Sequence, residues 1–233
     1  EANFFAGPLD IEAGALVLNN LNSVSGPGEL NIADGAVVQP KVAGTYASVV
    51  TSLNGSSTAN GSSGGSLDFH AGGTKTWPGR IILNSVTSTI GCYGITCNVT
   101  LSGELTGGGS LMLRPEGGSA SSHTATFTLS NSSNNYAGST TMQVGNHELS
   151  TTLKAGVDNA LPVTTTLNLN RVGSSGTVYF DLAGFNQTVA GLTANFGSNA
   201  VINSTGTGTL TMSNRADSVF NGAIGASGQA SIN

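Results

Sequence analysis

Charged side chains are scarce in this sequence. Only 8% of its 233 residues are Asp, Glu, Lys or Arg, whereas about 25% is usual for a soluble domain. Seven Lys plus Arg stand against twelve Asp plus Glu, which gives a net charge of −5. The basic residues are scattered, and proteins that bind nucleic acid need them clustered, so we exclude a nucleic-acid partner.

Large apolar side chains are also sparse. Aromatic residues make up 6% of the chain, and no apolar run reaches the roughly 18 residues that span a bilayer, so no membrane insertion of this segment is expected. No stretch follows the helical period, so no α-helix is predicted. The start at Glu1 lacks the basic and apolar regions of a signal peptide. We therefore expect that a signal was removed, or that the chain is a fragment or a filament subunit.

Short runs of alternating apolar and polar residues recur throughout the chain instead. Examples are Glu29–Ile32, Ser110–Leu113 and Thr209–Met212. Alternation is typical of strands with one buried face, and the Gly and Asn between the runs favour tight turns. Recurrence at roughly 20–30 residues predicts stacked coils. The sequence thus predicts an all-β fold, a β-solenoid and most specifically a right-handed parallel β-helix. A sandwich is the alternative, but it would have longer strands and more aromatic residues.

We predict one solenoid domain over residues 1–233, with about ten coils of roughly 20–25 residues. The Ser/Gly-rich segment 52–66 is predicted to be an exposed loop. The predicted strands are Ala15–Leu18, Glu29–Ile32, Ala36–Gln39, Ser66–Phe69, Arg80–Leu83, Val99–Leu101, Ser110–Leu113, Thr124–Leu129, Thr140–Val144, Thr165–Leu169, Thr177–Asp181, Ala200–Ile202, Thr209–Met212 and Ala230–Ile232.

The two cysteines, Cys92 and Cys97, are separated by four residues. Two ligands are too few for a structural zinc site, and a thioredoxin-like pair has two intervening residues. We predict a structural disulfide that pins a surface bend, which implies an oxidising, extracellular compartment. A redox-active pair is the alternative.

The second half of the chain contains a series of short, related sequence segments. They run over Asn134–Thr141, Asp158–Pro162, Phe180–Leu192 and Gly206–Met212. In their residues and their order, these segments resemble the repeats of bacterial autotransporter passenger domains, over about residues 101–226. The resemblance implies a right-handed parallel β-helix displayed outside the cell. The resemblance indicates little about activity, because such repeats occur in proteins of many different functions.

Signals for catalysis are weak. The sequence has no nucleophile elbow, His-Glu-x-x-His helix or phosphate loop, so we predict no catalytic, cofactor-binding or metal-ligating residue and no cofactor. Asp68 and His70 lie on one face of a strand, and Trp77, between Lys75 and Arg80, is suited to stack on a sugar or to cap the core. Two further pairs that could join a site are His147 with Glu148 and Arg114 with Glu116.

Six Asn-x-Ser/Thr sequons are candidate glycosylation sites in a suitable host. Their asparagines are Asn54, Asn60, Asn98, Asn131, Asn186 and Asn203.

The function expected from these features is that of an extracellular structural or adhesive surface protein. A stiff rod with open ends would stack head to tail into filaments, and a surface glycan or host ligand is a further expected partner. The alternative is a carbohydrate-active β-helix enzyme, either a polysaccharide lyase or a glycosidase. Binding of ice or mineral through rows of Thr is a third class.

Overall fold

The fold is all-β, as predicted, with 52% strand and 2% helix. A computed structural model of the protein describes residues 6–26, 28–61, 64–116, 123–144, 148–172, 176–213 and 217–225. The predicted strand Ala230–Ile232 lies outside the described residues.

Within the described residues, the strands follow one another with a single 3₁₀ turn at Ala59–Gly61. In chain order they are β1 (Leu9–Ile11), β2 (Ala15–Leu18), β3 (Glu29–Ile32), β4 (Val37–Pro40), β5 (Gly44–Thr45), β6 (Val50–Leu53), β7 (Ser56–Ser57), β8 (Gly64–Gly65), β9 (Leu67–Phe69), β10 (Gly73–Trp77), β11 (Ile81–Leu83), β12 (Thr87–Tyr93), β13 (Thr96–Leu101), β14 (Leu105–Thr106), β15 (Ser110–Glu116), β16 (His123–Leu129), β17 (Thr140–Val144), β18 (Glu148–Ala155), β19 (Thr166–Arg171), β20 (Thr177–Asp181), β21 (Gln187–Val189), β22 (Gly191–Ala194), β23 (Ala200–Ile202), β24 (Leu210–Met212) and β25 (Ala223–Ile224).

Three parallel sheets form the sides of a solenoid, and the chain passes these sides in a fixed order, although some coils lack a strand on one of them. Sheet I has the strand order β1-β3-β6-β11-β14, and the pair β21-β24 takes the same place in later coils. Sheet II is β2-β4-β9-β12-β15-β17-β19-β22, and sheet III is β5-β10-β13-β16-β18-β20-β23-β25. The predicted parallel β-solenoid is therefore confirmed, while its right hand stays a prediction.

The pairing register sets the length of a coil. Leu9 pairs with Leu30, Leu30 with Thr51, Thr51 with Ile81 and Ile81 with Leu105, so a coil takes about 21 to 30 residues. The stack has about 8 turns rather than the predicted ten, because several coils are longer than expected. At a strand spacing of about 4.8 Å, the stack is on the order of 40 Å long.

The core is a thin column of side chains that point inward from every coil. Because side chains alternate along a strand, each strand contributes only two or three of them. In a parallel ladder, like side chains of successive coils lie directly above one another. The inward column of sheet II, all buried, is Val38, Leu67, Ile90, Leu113, Met142, Leu169 and Ala194.

The prediction of an exposed loop over residues 52–66 was wrong at both ends. Ser52 belongs to the buried part of β6, and β7 and β8 form an antiparallel hairpin. The hairpin packs on the outer face of sheet II, where a Cβ on Gly65 would lie 2.3 Å from the backbone nitrogen of Gly91. The glycines that suggested a solvated loop instead allow two backbones to come together.

Glycine also sets the distance between coils at the corner after sheet III. A Cβ on Gly103 would lie 2.0 Å from the carbonyl oxygen of Gly79, and one on Gly79 would lie 1.9 Å from that of Val49. A side chain at this corner must therefore push successive coils apart and break their ladder.

We predict that Gly103→Ala lowers the free energy of unfolding by about 3 kcal/mol or more, because backbone atoms must shift to admit the methyl group. The matched control is Gly108→Ala, since a Cβ on Gly108 meets nothing within 4 Å. That control should change stability by less than about 1 kcal/mol. Urea unfolding of both variants is the measurement, and equal midpoints would contradict the close-packed corner.

Candidate functional site

A column of polar side chains runs along the outer face of sheet II beneath the hairpin. Gln39, Asp68 and Arg114 occupy equivalent positions in this column, and Gly91 takes the position between Asp68 and Arg114. Their neighbours Val38 and Leu67 point into the core, so these residues point outward. Gln39 and Asp68 are nevertheless 0% exposed, because the hairpin covers them.

Gln39 ties the hairpin to the sheet. The Asn60 side-chain nitrogen Nδ2 donates to Gln39 Oε1 over 2.7 Å, and Gln39 Nε2 donates to the carbonyl oxygen of Asn60 over 3.2 Å. On the other side, a Cβ on Gly64 would lie 2.8 Å from Nη1 of Arg114. The hairpin is thus held by a reciprocal amide pair and packs against the arginine.

The predicted placement of Asp68 and His70 on one face is confirmed. His70 Nε2 lies 2.9 Å from Asp68 Oδ2 and 3.1 Å from Gln39 Nε2. The His70 ring stacks on Tyr93, with ring centroids 4.9 Å apart and planes 19° apart. Asp68 and Tyr93 therefore fix the orientation of an imidazole whose side chain is 12% exposed. Such a pair can hold and exchange a proton, but the carboxylate itself is out of reach of a large substrate.

Of the two other predicted pairs, the structure describes only the side chain of Arg114, which lies in this column. His147 lies outside the described residues, and nothing is described of the side chains of Glu116 and Glu148. Trp77 is fully buried against Tyr46 and Phe69, with ring centroids 5.6 and 6.1 Å away. A sugar cannot reach this ring, so the reading of Trp77 as a stacking platform was wrong.

Lys75 is an unexpected member of the core. It pairs in register with Val99 of the inward column of sheet III and is 0% exposed. Its Nζ donates to the carbonyl oxygen of Gly72, and no described carboxylate pairs with it. Burial lowers the pKa of the Lys75 ammonium from its usual 10.5, because a charge is poorly solvated there.

The predicted disulfide between Cys92 and Cys97 is confirmed. It joins β12 to β13 across the corner between sheets II and III, with a Cα–Cα distance of 6.3 Å. Only the bend that it closes is at the surface, at Ile95 and Thr96, whereas both cysteines are buried. A buried disulfide is suited to a structural role rather than to thiol exchange.

The six sequon asparagines differ in exposure. Asn60 and Asn186 are exposed, and Asn54, Asn98 and Asn131 are partly exposed. Asn203 is fully buried and its Nδ2 donates to the carbonyl oxygen of Gly206 over 3.1 Å. A glycan on Asn203 would require this bond to break and the side chain to leave its buried position, and glycosylation at all six asparagines stays a prediction.

No three His, Cys, Asp or Glu side chains of the described ranges come together as a metal-binding group. In the same part of the chain, no helix is both long and apolar enough to cross a bilayer.

Comparison with known proteins gave no match to this chain. No protein-family model matches it, and searches of curated proteins and of solved structures gave no significant match. The geometry of its own residues is therefore what supports any function.

We predict that Gln39→Ala speeds amide hydrogen exchange in β7 and β8, because it removes two of the hydrogen bonds that hold the hairpin on the sheet. The matched control is Gln143→Ala, on the outer face of the same sheet, where Gln143 makes no side-chain hydrogen bond within the described residues. The exchange rate at the hairpin, measured by mass spectrometry, should rise by about tenfold if the free energy of opening the hairpin falls by about 1.4 kcal/mol. Equal hairpin protection in the two variants would show that Gln39 does not anchor it.

We predict that Lys75→Met stabilises the chain and flattens its pH dependence. Since the folded-state pKa of Lys75 is below 10.5, the folded chain binds fewer protons than the unfolded chain between that lowered pKa and 10.5. Stability of the native sequence should therefore rise with pH across this window, and the methionine variant should lose that rise. Thermal melts from pH 7 to about 10 measure it. The control, Lys41→Met, replaces a partly exposed lysine and should keep the native dependence of stability on pH. The same dependence in the Lys75→Met variant would contradict the account.

Proposed function

We propose that this chain is an extracellular structural and adhesive surface protein that acts as a stiff β-solenoid rod. The observation that carries the proposal is the continuous parallel register, in which sheets II and III each join eight strands. A body of this kind exposes long repeated faces rather than one deep pocket, and such faces are suited to contact with an extended surface.

Two features support the extracellular location. The Cys92–Cys97 disulfide is typical of chains that fold in an oxidising compartment. The scarcity of charge, at 8% of residues, leaves faces of Ser, Thr and Asn whose structure depends little on ion pairs. The resemblance of residues 101–226 to autotransporter passenger repeats implies the same location, and we retain it as part of the proposal.

End-to-end association is the assembly that we propose for the rod. Strands β1 and β25 stand at the ends of their sheets within the described residues. Large exposed apolar side chains gather in the last described coil, where Met212, Val219 and Ile224 are 46%, 70% and 51% exposed. Edge strands with apolar neighbours are templates for pairing with a second copy.

A carbohydrate-active enzyme is the second candidate, and the Asp68–His70 pair is the observation that favours it. The imidazole is oriented and slightly accessible, as a proton-transfer group must be. We rank it lower because the hairpin covers the carboxylate.

The test measures adhesion and end-to-end assembly on the same protein. Beads coated with the folded protein should adhere to cells and to glycan-coated surfaces, and electron microscopy at high concentration should show rods joined end to end. At a temperature where Gly103→Ala is unfolded and the native chain is folded, beads coated with Gly103→Ala should lose adhesion, whereas Gly108→Ala beads should keep it. Failure of the native protein to adhere to any surface would refute the adhesive function. Turnover on a panel of glycans that Asp68→Asn abolishes would establish the enzyme instead.

A further inference from the structure

A groove runs along the edge where two sides of the solenoid meet, in the second half of the rod. One of these sides is formed by sheet I and the other by sheet II. It consists of two adjoining cavities of about 400 and 390 Å³, which share Val163 and Thr164 as lining residues. Ser132 lies toward one end and Thr188 toward the other, with Asn159 between them along the chain. Because these residues come from successive coils, the groove is parallel to the rod axis.

The walls of the groove are preformed. Asn134, buried in one wall, accepts a hydrogen bond from the backbone nitrogen of Leu105 over 2.7 Å and donates to the carbonyl oxygen of Ala160 over 2.8 Å. It thereby joins three successive coils. The Asn159 side-chain oxygen is held in the same way by the backbone nitrogen of Thr188, over 3.1 Å. A ligand that binds here does not need to order the site first.

The lining residues carry no charge but have unused hydrogen-bonding groups. None of the described residues that line the two cavities is ionisable. The hydroxyls of Ser132, Thr164 and Thr188 and the Nδ2 of Asn159 make no hydrogen bond within the described residues. Beside them Val163 is 49% exposed and supplies apolar surface. This combination fits a neutral ligand that presents both hydroxyls and C–H faces.

We propose that this groove binds a neutral, extended glycan. The coils repeat at about 4.8 Å along the rod, which is close to the length of one pyranose unit in a linear chain. Successive sugars would therefore meet equivalent hydroxyl and amide groups of successive coils. Anionic glycans are disfavoured, because no cationic side chain lines the described groove to pair with them. The inference rests on the proposed adhesive function and identifies the partner class of one face.

The test is binding of defined linear hexasaccharides, measured by calorimetry and by saturation-transfer NMR. The panel contains neutral β-glucan and mannan hexamers and an anionic galacturonate hexamer. A neutral hexamer should bind the native chain, and Val163→Arg, which fills the groove, should weaken it by about tenfold or more. Val86→Arg is the matched control, because Val86 is 90% exposed and does not line the groove; it should bind as the native chain does. Thermal melts verify that both variants are folded.

Each result decides the proposal. Absence of binding by all neutral hexamers, tighter binding of the anionic hexamer, or native affinity in Val163→Arg would overturn the groove assignment. Failure here is distinguishable from failure of the adhesive function. If native beads and Val163→Arg beads adhere equally, adhesion stands and the groove is wrong. If native beads do not adhere but the groove binds a neutral hexamer, the groove stands and the adhesive function is wrong.

Discussion

The parallel hydrogen-bond ladder between successive coils is the interaction on which the rest of this molecule depends. Its longest pairing joins seven residues of β12 to seven of β15 without a change of register. The same register places Leu67, Ile90, Leu113 and their equivalents in one stacked column, so backbone pairing and side-chain burial reinforce each other. Large side chains are few in this chain, and an apolar column that repeats in every coil makes up for them.

Both candidate sites arise where one coil departs from the regular repeat. The residues between β6 and β9 add a hairpin, which encloses Gln39 and Asp68 on an outer face that would otherwise be solvated. The corner at residues 157–164 lacks a regular strand, and Asn134 supplies the missing bonds between coils from its side chain. Regular coils thus provide stiffness, and the irregular ones provide the places where a ligand or a second element can dock.

Much of this fold was predictable because its strands alternate. Glu29–Ile32, Thr140–Val144 and Thr177–Asp181 have their predicted bounds. Strand β10 was missed because Lys75 stands on its inward face, although the i, i+2 spacing to Trp77 was a usable signal. The Asp68–His70 pair was predictable from that same spacing. Its partner Gln39 was not, since their meeting depends on coil register and on how the hairpin docks.

The most direct test of the ladder account is native-state hydrogen exchange resolved by residue along the whole chain. If the ladder holds the molecule together, the strand amides of sheets II and III should be protected along the full stack, with protection falling only toward the terminal coils. Protection confined to the aromatic cluster around Trp77, with free exchange in β19 to β23, would show that a local apolar nucleus maintains order instead.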